Sequence, residues 1–123
     1  MRVAAAMLAD AAYVGQEGKL YVHGGGWSRV FAPSFPVTHP MLAVVLLMEV
    51  DYHEALVDHE LEVVLTRDGE PIGPRAVIRL NVGHAPGTAP GAPAQVPVAL
   101  SFPMLSFDSP GRFEWDVIAD GGP

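Results

Sequence analysis

The sequence predicts an all-β protein, specifically an antiparallel β-sandwich of about seven strands with Greek-key-like connections, either immunoglobulin-like or C2-like. Three observations favour this class. No stretch keeps apolar residues at helical spacing for three turns without a glycine or a proline. Short runs of alternating polar and apolar residues recur between turn signals. The 123 residues include 13 glycines and 12 prolines, which implies many turns. This length fits one domain, so residues 1–123 are expected to form a single sandwich.

The individual strands follow from the apolar runs and from the turn residues between them. Residues 41–50 are almost continuously apolar and predict the most buried strand. Residues 59–67 alternate cleanly, with Leu61, Val63 and Leu65 on one face, and Asp68-Gly69 predicts a hairpin turn after them. The predicted strands are residues 2–9, 19–22 with a resumption at 27–31, 41–50, 59–67, 75–82, 96–102 and 112–119. The predicted core is Val44, Leu46, Leu61, Val63, Leu65, Ile78, Leu80, Val98, Leu100, Phe113 and Trp115.

The segments between the strands predict several kinds of connection. Residues 11–18 are expected to be a loop that closes with a turn at residues 16–18, and residues 51–58 have room for one helical turn. Residues 83–95 are rich in proline, glycine and alanine, which favours an extended polyproline II path on the surface. The three glycines at residues 24–26 predict a bulge or a sharp bend with positive φ.

Composition excludes several classes of function. The formal net charge of −7 counts against nucleic acid or an anionic membrane as a partner, because phosphate neutralisation needs clustered Lys and Arg. The absence of cysteine excludes disulfides, thiol nucleophiles and thiolate metal sites. The apolar run near the start is about seven residues long and is interrupted by Asp10, so it predicts a strand better than a signal peptide. We expect a soluble, cytoplasmic protein without a cofactor.

Few residues suggest chemistry. Residues 24–26 lack the strand-to-helix context of a phosphate loop, since the residues that follow are strand-like. His53 and His59 lie among carboxylates and are weak metal candidates, but their separation by six residues is not zinc-motif spacing, which favours a solvated connection. Asp10 is expected to cap backbone N–H groups in the turn after it. No serine lies in a nucleophile elbow, so no catalytic residue is predicted.

Three segments of the chain resemble a family of small all-β proteins of unknown function from high-GC bacteria. Residues 9–28, ADAAYVGQEGKLYVHGGGWS, carry an Ala-Asp motif, a Gly-Lys-Leu-Tyr strand and a Gly-Gly-Gly-Trp bend. The resemblance continues through the Pro-Gly segment and the strand of residues 82–100, and ends in PGRFEWDVIADG, residues 110–121. In that family a further strand commonly follows the Asp-Gly turn, and we expect this chain to lack it. The resemblance implies no activity and no catalytic residues.

Two classes of function remain open. The first is a non-enzymatic protein–protein interaction or assembly module, which pairs with another protein or a second copy of itself through a sheet edge at residues 112–119. The candidate interaction residues are Arg112, Glu114, Asp116 and Ile118. The alternative is a small-ligand or metal-binding protein that uses the glycine bend or the segment with His53 and His59. A hydrolase ranks last, because no catalytic signature is present.

Overall fold

The structure is a computed structural model and describes residues 1–121. Within them the chain is all-β with two antiparallel sheets, consistent with the predicted β-sandwich. The first sheet has the strand order β2-β1-β3-β6, and the second has the order β5-β4-β7. The strands are β1 (Arg2–Val14), β2 (Leu20–Trp27), β3 (Val37–Val50), β4 (Asp58–Arg67), β5 (Glu70–Asn81), β6 (Ala94–Phe107) and β7 (Glu114–Ala119).

Contacts group the residues into two compact units. One unit comprises Met1–Ala4, Leu47–Val96 and the residues from Phe113 onward, and so contains the whole second sheet. In this unit Leu61 and Val63 of β4 are fully buried, as the alternation predicts. Val64 and Thr66, which lie on the opposite face of β4, are buried as well, so β4 is covered on both faces near its end.

The other unit comprises Ala5–Leu46 and Pro97–Arg112. Five consecutive residues of β3, from Leu42 to Leu46, are at most 3% exposed, which confirms the prediction that this strand is the most buried. In this unit Ala9 of β1 packs with Ala43 and Val45 of β3.

Six of the eleven predicted core residues are buried, namely Val44, Leu46, Leu61, Val63, Leu65 and Val98. The other five, Ile78, Leu80, Leu100, Phe113 and Trp115, are half-buried. Four of these five lie in an edge strand of a sheet, β5 at Ile78 and Leu80, β6 at Leu100 and β7 at Trp115. An edge strand has a neighbour on one side only, which leaves its side chains partly open to solvent.

Several predicted boundaries are wrong. β1 continues through Asp10 to Val14, so the predicted loop shrinks to the turn in which Gly18 N donates to Gly15 O at 3.0 Å. β2 is a single strand that includes the glycines and ends at Trp27, so the predicted strand at residues 27–31 does not form. β5 begins five residues earlier than predicted, at Glu70.

One hairpin turn and one bulge form as the sequence predicts. Asp68 and Gly69 have φ values of 52° and 81°, the positive pair that a two-residue hairpin requires, and they join β4 to β5. Gly24 and Gly26 also have positive φ, 62° and 88°, and the register of β1 and β2 shifts between Leu8 and Ala9, opposite these glycines. The predicted glycine bulge is therefore confirmed.

The proline-rich segment between β5 and β6 is not polyproline II. It contains two successive turns, closed by bonds from Thr88 N to Ala85 O and from Ala92 N to Ala89 O, both 3.0 Å. Each turn has the sequence Ala-Pro-Gly, with Gly87 at φ 83° in the first and Gly91 at φ 87° in the second. Proline followed by a glycine with positive φ is the signature of a type II turn.

The connection before β4 contains the single helical turn for which the sequence has room. It is a 3-10 helix, η1 (Tyr52–Glu54). No helix in residues 1–121 has the length and apolar character needed to cross a membrane.

Candidate functional site

β7 is an edge strand of the second sheet, with β4 on one side. The two strands are antiparallel, and their register places Val63 opposite Val117 and Glu62 opposite Ile118. Asp120, one residue beyond β7, donates its backbone N–H to the carbonyl of Glu60 at 2.8 Å. The predicted sheet edge in residues 112–119 is therefore present in the described part of the chain.

The bond from Asp120 to Glu60 fixes which backbone groups of β7 face the open edge. In an antiparallel pair the residues that exchange hydrogen bonds alternate with residues whose groups point away. Because Asp120 bonds to β4, Ile118 and Asp116 do so as well, two and four residues earlier. Val117 and Ala119 therefore direct their N–H and C=O groups away from β4, toward the open side of the strand.

The three other edge strands each carry an interruption that discourages strand addition. β2 has the glycine bulge opposite Leu8 and Ala9. β6 contains Pro97 and Pro103, followed by Met104 with a φ of 54°. β5 begins with Pro71 and Pro74 near a register shift in its pairing with β4, and only its later part, residues 75–81, is free of prolines and shifts. β7 has no proline, glycine or lysine in its six residues and no register shift in its pairing with β4.

Charged side chains on one face of this sheet form ordered rows across the three strands. The registers of β5 and β7 on β4 place Arg75 and Asp116 on either side of Val64. The next row holds Val77, Glu62 and Ile118. In the third row Arg79 is opposite Glu60, which is paired with Asp120. The face thus carries Arg75 and Arg79 on β5 and Asp116 on β7, whereas the carboxylate of Asp120 is bonded to His59.

A buried histidine anchors the end of β7. His59 is 7% exposed, and its Nδ1 lies 2.9 Å from Oδ2 of Asp120. Its Nε2 lies 2.6 Å from the backbone carbonyl of Glu54. The other carboxylate oxygen of Asp120 accepts the backbone N–H of Glu60 at 3.0 Å. Three elements, namely η1, β4 and the end of β7, therefore meet at one imidazole.

The protonation of His59 follows from its partners. A carbonyl and a carboxylate can only accept hydrogen bonds, so both ring nitrogens donate only when the imidazole is protonated. The bond to the Glu54 carbonyl, followed by that to the Asp120 carboxylate, raises the pKa of His59 above its usual value. The same contact with His59 lowers the pKa of Asp120. When the imidazole is protonated, His59 and Asp120 form an ion pair.

A shallow depression of about 430 Å³ lies beside this pair. It is lined by Asp58, His59, Glu60, Arg79, Asp120 and Gly121. Several of its polar groups already have partners within the chain, since Asp58 accepts a hydrogen bond from Asn81 at 2.8 Å. The depression lies beside the end of β7, next to the row formed by Arg79 and Glu60.

The predicted interaction residues occupy different positions relative to the edge. Glu114 and Asp116 are exposed in β7 and Ile118 is half-buried there, whereas Arg112 precedes the strand. The alternation of hydrogen bonds places the backbone groups of Glu114, Asp116 and Ile118 toward β4. Their side chains flank the edge. The outward backbone groups belong to Val117 and Ala119, two residues that sequence reasoning missed.

The predicted roles of two other residues are wrong. His59 does not lie in a solvated connection, because it is buried in β4 with both ring nitrogens hydrogen-bonded. His53, by contrast, is exposed in η1. No group of three or more potential ligands within residues 1–121 has the arrangement of a metal site. Asp10 caps no turn, since it lies inside β1 beside Gly24 of β2.

One comparison with known proteins is informative. A family described as a family of unknown function, DUF6941, matches residues 4–123. The chain belongs to this family. The match confirms that the chain belongs to a family of unknown function, whereas the quoted motifs and the high-GC bacterial origin stay predictions. No curated protein and no solved structure is similar enough to match. DUF6941 membership therefore supplies no substrate or partner, and function has to be argued from the edge of β7 and the charges around it.

Proposed function

We propose that this chain is a non-enzymatic protein–protein interaction module that binds an extended polypeptide segment along β7. The observation that carries the proposal is the edge position of β7, whose Val117 and Ala119 present backbone donors and acceptors on the side away from β4. Such groups are a template for an added strand, because main-chain hydrogen bonds supply affinity in strand addition.

The rest of the sheet supports this role. β7 is continuous over six residues, whereas β2, β5 and β6 carry bulges, prolines or a residue with positive φ. An added strand therefore finds outward backbone groups without a bulge or a proline at Val117 and Ala119. The side chains of Asp116 and Ile118 flank that ladder on one face and give it a chemical character beyond the backbone.

The anchor at His59 keeps β7 in a fixed position. Asp120 is bonded both to His59 and to the backbone N–H of Glu60, so the end of β7 is tied to β4 through side chain and main chain. A strand that is already ordered loses less conformational entropy when it binds a partner. The buried imidazole thus contributes to binding by positioning the edge.

A library of linear peptides selected on the immobilised chain tests the proposal. Val117→Pro removes the outward N–H of Val117 and leaves the bonds of Ile118 to β4 in place. Val117→Thr is the matched control, because it keeps both the N–H and the β-branched shape. Peptides selected on the natural chain are expected to bind Val117→Thr equally and to lose about ten-fold or more in affinity for Val117→Pro.

The NMR signals of the backbone amides give the second readout. Bound peptide is expected to shift the amide protons of Val117 and Ala119 more than that of Ile118, since the latter already bonds to β4. Selected peptides that bind the natural chain and Val117→Pro equally, without shifting these amides, would show that β7 is not the binding edge.

A further inference from the structure

The second sheet has two edges, β7 and β5, and their side chains carry opposite charges on the same face. We infer that the strand which β7 receives is β5 of a second copy of this chain, so that the copies join head to tail into a continuous sheet. This inference rests on the proposed function and names its partner. Three properties of the two edges match: the direction of the strands, the residues whose backbone groups face outward, and the charges of the side chains.

The direction of the two strands allows this pairing. β5 and β7 are both antiparallel to β4, so they run parallel to each other. A second copy placed beside the first in the same orientation brings its β5 against β7 as a parallel pair. Parallel strands pair through evenly spaced hydrogen bonds, in which one residue bonds to the two neighbours of the residue opposite.

The alternation of backbone groups fits the same arrangement. In β4 the even-numbered residues bond to β7, so the odd-numbered residues bond to β5 through its even-numbered positions. Arg75, Val77 and Arg79 of β5 consequently direct their backbone groups to the open side. With Val117 opposite Ala76 of the second copy, its N–H meets the carbonyl of Arg75 and its C=O meets the N–H of Val77. Ala119 is then opposite Ile78 and bonds in the same way.

With Val117 opposite Ala76, the charged and apolar side chains of β7 meet complementary side chains of β5. Asp116 comes to lie beside Arg75 of the second copy, and Ile118 beside Val77. These are the pairs that already share rows within one sheet, so the second copy repeats the spacing of the first. Asp120, beyond the end of β7, keeps its carboxylate on His59 and on the backbone N–H of Glu60. Arg75 is 62% exposed at its side chain and bonds to Glu62 at 2.9 Å. Its guanidinium has five N–H donors, which is enough to serve Glu62 and Asp116 together.

Pairing of β7 with β7 of a second copy is less favourable. Two-fold pairing through Val117 and Ala119 would be antiparallel and would match odd-numbered residues with odd-numbered residues. One register then places Asp116 opposite Asp116, and another places Glu114 opposite Asp120. Like charges directly opposite each other destabilise a sheet, whereas β5 presents arginines at the same spacing.

The pairing of β7 with β5 is a heterologous contact, since each copy uses two different surfaces. An open assembly of any length still presents one free β5 at one end and one free β7 at the other, so assembly continues until the twist of the sheet closes it into a ring or leaves an open chain. The size of the assembly therefore grows with concentration.

Charge exchange between the two edges tests the inference. Asp116→Lys and Arg75→Glu each place like charges at the junction, and each is expected to weaken association about ten-fold in sedimentation velocity. An equal mixture of the two variants is expected to associate as the natural chain does. In that mixture the two substituted positions meet as an opposite-charge pair at one junction, and the other junction keeps its natural residues. Asp108→Lys and Lys19→Glu are the controls, since they make the same kind of charge reversal at exposed sites outside the second sheet.

The outcomes separate the inference from the proposed function. A natural chain that remains monomeric up to millimolar concentration overturns the inference, as does association that the charge variants do not change. If Val117→Pro abolishes association that Asp116→Lys and Arg75→Glu leave intact, β7 pairs with a different edge and the proposed function stands. Should Arg75→Glu fail to fold because Glu62 lies beside it, Arg75→Gln removes the positive charge without adding a negative one and is expected to weaken association. Unchanged association of Arg75→Gln would contradict the inference.

Discussion

Val117 and Ile118 are neighbours in β7 whose backbone groups face opposite ways. The groups of Ile118 meet Glu62 of β4, and those of Val117 face the open side of the strand. An added strand would therefore bond to Val117 and not to Ile118. The same alternation predicts that proline has different effects on stability at these two adjacent positions.

Proline substitution in β7 is expected to be tolerated at Val117 and costly at Ile118. Val117→Pro removes no bond to β4 and is expected to lower the free energy of unfolding by less than about 1 kcal/mol. Ile118→Pro removes a ladder bond and leaves the Glu62 carbonyl without its donor, at a cost of about 1–3 kcal/mol. Urea denaturation of both variants measures the difference, and equal losses would show that the assigned alternation is wrong.

Stability is expected to depend on pH through His59. Its pKa is raised above the ordinary 6.5, so its stabilising contribution is complete below pH 6.5 and is lost as the pH rises through the folded-state pKa. The pKa of Asp120 is lowered from 3.8, so its contribution is present above pH 3.8 and is lost as the pH falls through the folded-state pKa. The free energy of unfolding contributed by the pair is therefore greatest between these two limits.

His59→Gln is expected to remove the loss of stability on the alkaline side, because glutamine does not titrate. Chemical denaturation at a series of pH values measures this effect. His23→Gln is the control, since His23 is exposed in β2. A natural chain and a His59→Gln variant with parallel profiles above pH 6.5 would show that the imidazole does not stabilise the fold as a cation.

The glycines at positions 18 and 24 are expected to differ in their sensitivity to alanine. Both have positive φ, 82° and 62°, so alanine at either position costs about 1–2 kcal/mol. A Cβ at Gly24 would also lie 2.3 Å from Oδ2 of Asp10, whereas a Cβ at Gly18 would meet open space. Gly24→Ala should therefore cost more than Gly18→Ala.

The double variant Asp10→Ala, Gly24→Ala isolates the contact with Asp10. Removal of the carboxylate is expected to bring the cost of Gly24→Ala most of the way down to that of Gly18→Ala, since only the Cβ of residue 10, at 3.2 Å, remains close. Thermal denaturation of the single and double variants measures this change. An unchanged cost would mean that the backbone conformation alone requires glycine at this position.

The parts of the fold that depend on local chemistry were predictable from the sequence. The alternation of β4 and the Asp68-Gly69 turn are set by residues close in the chain, and both form as predicted. The position of Asp10 inside β1 was not predictable, because Asp10 lies beside Gly24 of the neighbouring strand β2, 14 residues later in the chain. The burial of His59 likewise depends on Asp120, 61 residues away.

The candidate site was predictable in part for the same reason. The sequence predicts an edge in residues 112–119, and the structure places β7 at an edge. The outward residues depend on the register with β4, which the alternation of side chains alone does not fix. The charge match between β5 and β7 depends on two registers at once, so it emerges only when Arg75 and Asp116 are placed in the same row.

The core of the second sheet is expected to respond unequally to truncation. Leu61 is fully buried, so Leu61→Ala is expected to cost about 2–5 kcal/mol of unfolding free energy. Ile78, its partner in β5, is half-buried, so Ile78→Ala should cost less. Guanidinium denaturation of the two variants provides the comparison, and a larger loss for Ile78→Ala would contradict the assigned burial.

Amide hydrogen exchange along β7, followed by NMR, tests the central claim most directly. In dilute solution the amides of Val117 and Ala119 are expected to exchange about ten-fold or more faster than that of Ile118, which is bonded to Glu62. When β7 receives a partner strand, the exchange of Val117 and Ala119 should slow to the rate of Ile118. Equal protection of all three amides in the dilute monomer would show that the edge of β7 is already covered and would contradict the proposed function.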